Sequence, residues 1–531
     1  MKKKNIELFI AIIIVLLFSL FFAYDGINSI KYNFLTYDEA YNATVSFNMF
    51  KYGKYMISYP GFYLFHNYIT TGPLVLLPTA LLFKLFGVSN TACRLIPLLF
   101  GICDIALIFI IFSLLFKKIK YRYIVSSIIT ILLCLSNSLF YQISTSLLGE
   151  SSALFFVLLS LLFLLIYNNT SKTKYIFLSG GVLSLALLTK ISTIFIVATL
   201  FTLLLYERIL KNIKTKQLLY FLVGFICLFV IHELFKLYQY GNLIDYFKYW
   251  INEFKYMLLQ SSGSKEYVSI TTKFNYFYDI FENNKFVSLI MCISPCILYL
   301  IIKKNTLFKK DLSFLKKDKN MMSMILFGIS GASLILFFLV FATNDLMYAR
   351  RHIINTLLVE IFFIYLVIIL INYWYKKKKS IMCTITLLVI FVLLFPIKSL
   401  ANNIINLKNK ERDYDVRYVY LNEMYKTIDS LGKDAVIYTI DWWQEPNVTL
   451  KYKNSIIMKN ILDLPLDYQF KSNEYLMVGA LIDNYRKKDI EEKYNVTFTR
   501  INQNTIDYDS FTYEFNRNEF DLFSIYRINN N

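Results

Sequence analysis

Histidine is nearly missing from this 531-residue chain, with three in all, at positions 66, 232 and 352. So scattered a set has no recognisable metal-ligand spacing. A divalent ion shared by Asp38, His66 and His352 stays an open alternative that the spacing does not support, and no cofactor is assigned. The seven cysteines all fall in or beside apolar segments, none of them as a CxxC pair and none in the polar C-terminal region. That excludes a disulfide framework and a zinc module, and leaves small buried hydrophobes. No internal repeat and no long disordered linker interrupts the chain; residues 401–412 form the one evident junction. The apolar segment after "MKKK" lacks a small-residue cleavage site, so it reads as a retained helix rather than a signal peptide.

Acidic residues are also scarce, but only in one part. Residues 1–398 carry 17 Asp+Glu against 39 Lys+Arg, while residues 399–531 carry 20 against 17. The basic excess sits in short runs between apolar segments: "KKIKYR" (117–122), "RILKNIKTK" (208–216), "KKNTLFKK" (303–310) and "KKKK" (376–379). Nucleic-acid binding needs such residues gathered on a folded face, so it is set aside. Runs of this kind mark cytoplasmic loops instead.

What is present is apolar length. Hydrophobic residues make up 56% of the chain, and runs such as "ELFIAIIIVLLFSLFFAY" recur from Leu8 to Pro396. A spanning helix needs about 20 mostly apolar residues, so the fold class is an α-helical polytopic membrane protein. The charge pattern puts the N-terminus in the cytoplasm and predicts eleven crossings. They fall near 7–24, 94–116, 122–141, 150–168, 174–189, 191–206, 218–236, 286–303, 321–342, 353–374 and 381–398. The stretch 73–88 is short, contains Pro78 and Lys84, and reads as an interfacial or re-entrant segment. The odd count places residues 399–531 outside, as a small α/β domain with β-like runs "AVIYTI", "EYLMVG", "NVTFTR" and "LFSIYRI". The membrane domain is then 1–398, with a first external loop over 24–93. A codon bias toward Ile, Lys, Asn, Tyr and Phe suggests an AT-rich bacterial genome and a bacterial cell membrane.

The external side gathers isolated ionisable groups: Glu150 opening the fourth crossing, Lys190 in a tight turn, and Arg350-Arg351 before the tenth. Thr36-Tyr37-Asp38-Glu39 is a capping-box pattern heading a helix that runs to about Gly53. Acids in a first turn also complement the helix dipole. Asp38, Tyr41, Asn42 and Val45 share one face of that helix, so Asp38 can point into a cavity while Glu39 closes the cap.

"YDEAYNATVSFNMFKYGKY" followed by "TTGPLVLLPTALLFKLFGVSNTACRLIPLLFG" resembles the first external loop of the GT-C membrane glycosyltransferases. The likeness is greatest to the branch of protein O-mannosyltransferases and bacterial aminoarabinose transferases. The family's Asp-Glu pair, "PPL" turn, closing "fG" and Arg correspond to Asp38-Glu39, Gly72-Pro73-Leu74, Phe86-Gly87 and Arg94. "LSGGVLSLALLTK" ends at the family's lysine, Lys190; "LLGESSALFF" carries its acidic position, Glu150; "YARRHIINTLL" resembles its "RYllp". Gly72 replaces the first proline, and His352 stands where Tyr is usual. The similarity spans roughly residues 30–370.

The resemblance implies transfer of a hexose or pentose from a polyprenyl-phosphate carrier, with inversion, on the external membrane face. A phosphate leaving group departs without strong protonation, so one carboxylate suffices as general base, unlike paired-carboxylate glycoside hydrolysis. It assigns Asp38 as base, with Glu39 supporting it or capping the helix. Arg94, Lys190, Arg350 and Arg351 are candidates for the phosphate, and Glu150 for the substrate site. The expected partners are that donor, membrane lipids, and a protein, polysaccharide or glycolipid acceptor. Each cation has a plainer alternative in interface snorkelling or headgroup contact. Asp104, mid-bilayer in the expected crossing 94–116, has no assigned role, although intramembrane carboxylates are costly. The rival function is a transporter or lipid-carrier flippase, with footing in Asp104, Glu233 and Glu360. A third reading, the tail as a binding module on a membrane anchor, is hard to square with eleven crossings.

Overall fold

The computed structural model describes residues 2–32, 35–58, 61–66, 69–260, 269–281, 285–304, 318–341, 349–376, 422, 424–432, 434–439, 445–453, 456–479, 484–501 and 523–531. The protein is a multi-pass membrane protein of mostly helical architecture. Its first helices are α1 (Lys2–Tyr32), α2 (Tyr37–Tyr52), α3 (Pro73–Phe86), α4 (Asn90–Leu115), α5 (Arg122–Ser136) and α6 (Ser138–Ser144). Then come α7 (Glu150–Thr170), α8 (Lys174–Thr189), α9 (Ile194–Ile209), α10 (Thr215–Tyr240), α11 (Leu243–Gln260) and α12 (Ile270–Phe281). The last of the helical region are α13 (Lys285–Lys304), α14 (Lys319–Phe341) and α15 (Ile353–Lys376).

Among the described residues eight helices are long and apolar enough to cross a membrane. They correspond to eight of the eleven expected crossings. The expected crossing at 122–141 is not straight: α5 and α6 meet at 82°. Asn137 is the cause, since its extended backbone stops α5 and its side chain accepts from the Phe140 N–H at 3.1 Å to start α6. The crossing expected at 174–189 is α8, whose 16 residues reach only about 24 Å at 1.5 Å per residue, short of the ~30 Å hydrocarbon core. It is held by close packing instead. A Cβ on Gly180 would lie 2.0 Å from the Phe221 carbonyl, and one on Gly224 2.0 Å from that of Phe177, so α8 and α10 meet backbone to backbone. The segment expected to be interfacial is α3, 14 residues long. The eleventh crossing, 381–398, lies outside the described residues.

The chain divides into two compact units. One comprises residues 1–27, 71–75 and 95–405; the other comprises 28–70, 76–94 and 406–531. The second unit contains a five-stranded sheet of β1 (Val436–Thr439), β2 (Ile457–Asn460), β3 (Glu474–Gly479), β4 (Val496–Arg500) and β5 (Phe523–Asn530). Its order is β2-β1-β3-β5-β4, with β1 parallel to β2 and β3, and β5 antiparallel to β3 and β4. Four strands fall in the expected runs; β2 comes from "SIIMKN", whose apolar core is only three residues long. Tyr438, Phe470, Leu476, Ile490, Tyr494 and Ile528 pack beneath the sheet. Buried Glu474 is satisfied by the Tyr438 and Tyr468 hydroxyls and the Lys471 N–H at 2.7–3.1 Å. In this same unit the helix Glu445–Lys451 packs against α2, and Asn447 donates to the Leu35 carbonyl at 3.3 Å.

Candidate active site

Helix α2 begins where its sequence says it should. Thr36 is extended and its carbonyl accepts the first helical bond from Ala40. The Glu39 carboxylate reaches back to accept from the Thr36 N–H at 3.0 Å and its hydroxyl at 3.1 Å. Gly53 ends the helix in the left-handed region, φ 68°, which a Cβ would strain. Between these ends Tyr41, Asn42 and Val45 are buried, while Asp38 on the same face is half-buried. Asn42 fixes the returning loop by donating to the Thr70 hydroxyl at 3.0 Å and accepting from its N–H at 3.2 Å.

The two adjacent carboxylates differ in burial, Asp38 being half-buried and Glu39 buried. Glu39 is 1% exposed and Arg94 3% exposed, and they form a bidentate pair: Nε to Oε1 at 2.7 Å and Nη2 to Oε2 at 2.5 Å. The fork of the guanidinium suits this geometry in a way an ammonium would not. Arg94 is therefore brought to Glu39, and two of its donors are spent there.

In the other unit, Lys190 and Glu150 are brought together. Lys190 ends α8 in an extended conformation, and its Nζ donates to the Leu148 carbonyl at 2.7 Å and pairs with Glu150 Oε1 at 2.9 Å. Glu150 opens α7 after Gly149, whose φ of 84° lets the chain turn, and its Oε2 is buried without a hydrogen-bond partner. The backbone of residues 71–72 docks on both elements. The Gly72 N–H donates to the Thr189 carbonyl at 2.8 Å, and a Cβ on Gly72 would stand 1.8 Å from the Leu188 carbonyl. A Cβ on Gly149 would meet the Thr71 side chain at 3.0 Å. The glycine at 72 is thus no casual replacement for proline, which would clash here and lose this donor. Sequence reasoning noted Gly72 only as a departure and did not single out Thr71, Gly149 or Thr189. The flanking glycines of "TTGPL" and "LLGES" were the available signal.

Arg350 and Arg351 lie in a 3-10 turn, Ala349–His352, that leads into α15 and packs against α6 and α12. His352 is fully buried there. His66, in the first loop, is kept below its usual pKa by burial. Among the described residues no group of three or more His, Cys, Asp or Glu side chains is placed to hold a metal. Asp104 is fully buried in α4. Ser151 donates to the Pro97 carbonyl at 3.1 Å and approaches Asp104 Oδ2 at 3.5 Å, while Oδ1 has no hydrogen-bond partner. Of the other acids cited for a transport function, Glu233 is tied into a polar cluster with α11 and Glu360 is half-buried on α15.

The sequence model of the family described as dolichyl-phosphate-mannose-protein mannosyltransferase matches residues 70–234. That segment contains Gly72, Arg94, Glu150 and Lys190 but not Asp38. No curated protein sequence matches the chain significantly. Among solved structures, ArnT from Cupriavidus metallidurans in the apo state is similar with a TM-score of 0.53 at 12% identity, over 97% of both chains. The same protein bound to undecaprenyl phosphate gives 0.55 at 11% identity, again over 97% of both chains. At such identities the likeness is one of fold, and the chain has the GT-C fold.

Proposed function

We propose that the protein is a membrane glycosyltransferase that moves a sugar from a polyprenyl-phosphate carrier to an acceptor hydroxyl on the external face. The observation that carries this reading is the unequal burial of two neighbouring carboxylates. Glu39 is buried and engaged by Arg94 and Thr36, whereas Asp38, one residue earlier, is half-buried on the face that carries Tyr41 and Asn42. A single carboxylate held beside a rigid ion pair suits a reaction that needs one general base. The GT-C fold and the ligand named for the ArnT structure, undecaprenyl phosphate, support the donor class.

In the proposed reaction Asp38 takes the proton of the acceptor hydroxyl as that oxygen bonds to the anomeric carbon. The bond from that carbon to the phosphate oxygen breaks, and both its electrons leave with polyprenyl phosphate. Attack from the face opposite the phosphate inverts the centre. Lys190, with Arg350 and Arg351, offers positive charge to the leaving phosphate. Glu150 holds Lys190 in place, and Arg94 acts through Glu39 to fix the start of α2. The acceptor class (protein, polysaccharide or glycolipid) follows from the assay rather than the geometry.

The test is turnover by purified protein in lipid nanodiscs supplied with polyprenyl-phosphate sugars labelled in the sugar. Transfer predicts release of unglycosylated polyprenyl phosphate together with label on a second molecule. In sealed vesicles, a lipid-carrier flippase would move the labelled donor across the bilayer intact, and that outcome contradicts the proposal.

A further inference from the structure

Helix α11 has three separate faces, and among the described residues one of them is exposed. The chain leaves α10 through Gly241, whose φ of 74° allows a sharp turn. Tyr246 and Trp250, one turn apart, then face back onto α10. The Tyr246 hydroxyl donates to Glu233 Oε2 at 2.8 Å and the Trp250 indole N–H to the same oxygen at 3.0 Å. Lys236 reaches Glu233 Oε1 at 3.2 Å with its ammonium 4.7 Å from the Trp250 ring centre, and His232 Nδ1 lies 3.1 Å from the same oxygen. This cluster clamps one side of α11 to the C-terminal end of α10.

A second face is charged, with Asp245 and Lys248 paired at 3.4 Å and both largely exposed. The third is apolar. Leu243, Ile244, Phe247 and Ile251 fall on one side of the helix at one-turn spacing and are 56–69% exposed. The helix it follows, α10, is a candidate membrane span on which Val223, Ile226, Val230, Leu234 and Tyr238 are exposed, and only Gly241 and Asn242 separate the two helices. Four large exposed side chains on one short helix form a patch that a water-facing surface rarely carries. Their place directly after a membrane-spanning helix that itself exposes apolar side chains, and the charged pair turned to another side, decide what covers them.

We infer that α11 is an interfacial helix, clamped at Glu233, whose Leu243, Ile244, Phe247 and Ile251 face is immersed in the acyl-chain region of the leaflet at the C-terminal end of α10. The charged side then meets water and the aromatic clamp sits at the boundary, where Trp and Tyr are favoured. A helix so placed fixes the depth of the chain in the bilayer at one end of α10. This inference stands apart from the transferase reading and survives its failure.

The test is site-specific photo-crosslinking of the full chain in nanodiscs of phosphatidylethanolamine and phosphatidylglycerol. A benzophenone amino acid is placed in turn at Phe247, Ile251 and, as control, Lys248. Lipid-mass adducts at 247 and 251 should exceed those at 248 by at least about tenfold, as expected for side chains about 5–10 Å below the headgroups. Adducts to a second copy of the chain, adducts to another segment of the same chain, or equal yields at all three positions would each overturn the inference. Two apolar positions carry the probe so that poor folding at one, seen as a lowered melting temperature, leaves the other to decide.

Discussion

Replacing Arg94 by Met removes a charge from a site closed to bulk solvent. Glu39 is 1% exposed and receives two guanidinium bonds, at 2.7 and 2.5 Å. Methionine is close to arginine in length, so little packing volume is lost, and the main consequence is an uncompensated buried carboxylate. Breaking such a pair from one side costs about 3–5 kcal/mol. Because Glu39 also holds the cap of α2 through Thr36, the loss should appear first as fraying of that helix start and only then as global unfolding. The assay is unfolding of the purified protein in mixed micelles by denaturing detergent, with wild type, Arg94→Met, Glu39→Gln and the double variant compared. Glu39→Gln removes the charge but keeps an acceptor for the Thr36 N–H. The double variant should therefore be more stable than Arg94→Met alone, with a coupling of about 1–3 kcal/mol between the two positions. If Arg94→Met loses less than about 1 kcal/mol, the range of an exposed pair, and the double variant is no better, then the pair is not the buried anchor described.

Gly72→Ala and Gly72→Pro should both lower folded yield, measured by monodisperse recovery in detergent. The alanine drives a Cβ toward the Leu188 carbonyl, and the proline also deletes the donor to Thr189, whose loss costs about 1–3 kcal/mol. Lys190→Met leaves Glu150 buried beside the Leu148 carbonyl without its cation; transfer activity should fall more than melting temperature, and Lys190→Arg should recover part of it. Burial lowers the pKa of His66, so the unfolded chain binds its proton first as pH falls. Its contribution to stability is therefore full above the unfolded value of 6.5 and declines below it. His66→Gln should flatten the pH dependence of the melting temperature between about pH 5 and 7.

The helical skeleton was legible because a spanning helix writes itself as an apolar run, and ten of the eleven expected crossings fall on helices. Where the run misled, local chemistry had overridden it. At Asn137 a capping side chain splits 122–141 into two helices, and at α8 the glycines permit a short helix that packs tightly against α10. The pairing of Glu39 with Arg94, 55 residues apart, was not legible. The "TYDE" pattern accounts for one side of Glu39, but nothing in spacing says which cation meets the other. Lys190 and Glu150, 40 residues apart, were singled out separately as isolated external charges and are in fact partners. Gly72 shows the converse. Its identity was visible, but its reason is the approach of a backbone segment more than 110 residues later. Strand β2 was missed because a three-residue apolar run gives no period to count.

The central claim rests on Asp38, and Asp38→Asn tests it with the least disturbance, since the amide keeps the shape and leaves the Glu39–Arg94 pair intact. The measurement is transfer rate beside affinity for a polyprenyl-phosphate sugar, on the variant and wild type in the same nanodiscs. The account predicts that donor affinity is unchanged while the rate drops about 10²–10⁴-fold, the contribution of a general base. A folded Asp38→Asn protein that transfers sugar at the wild-type rate contradicts it.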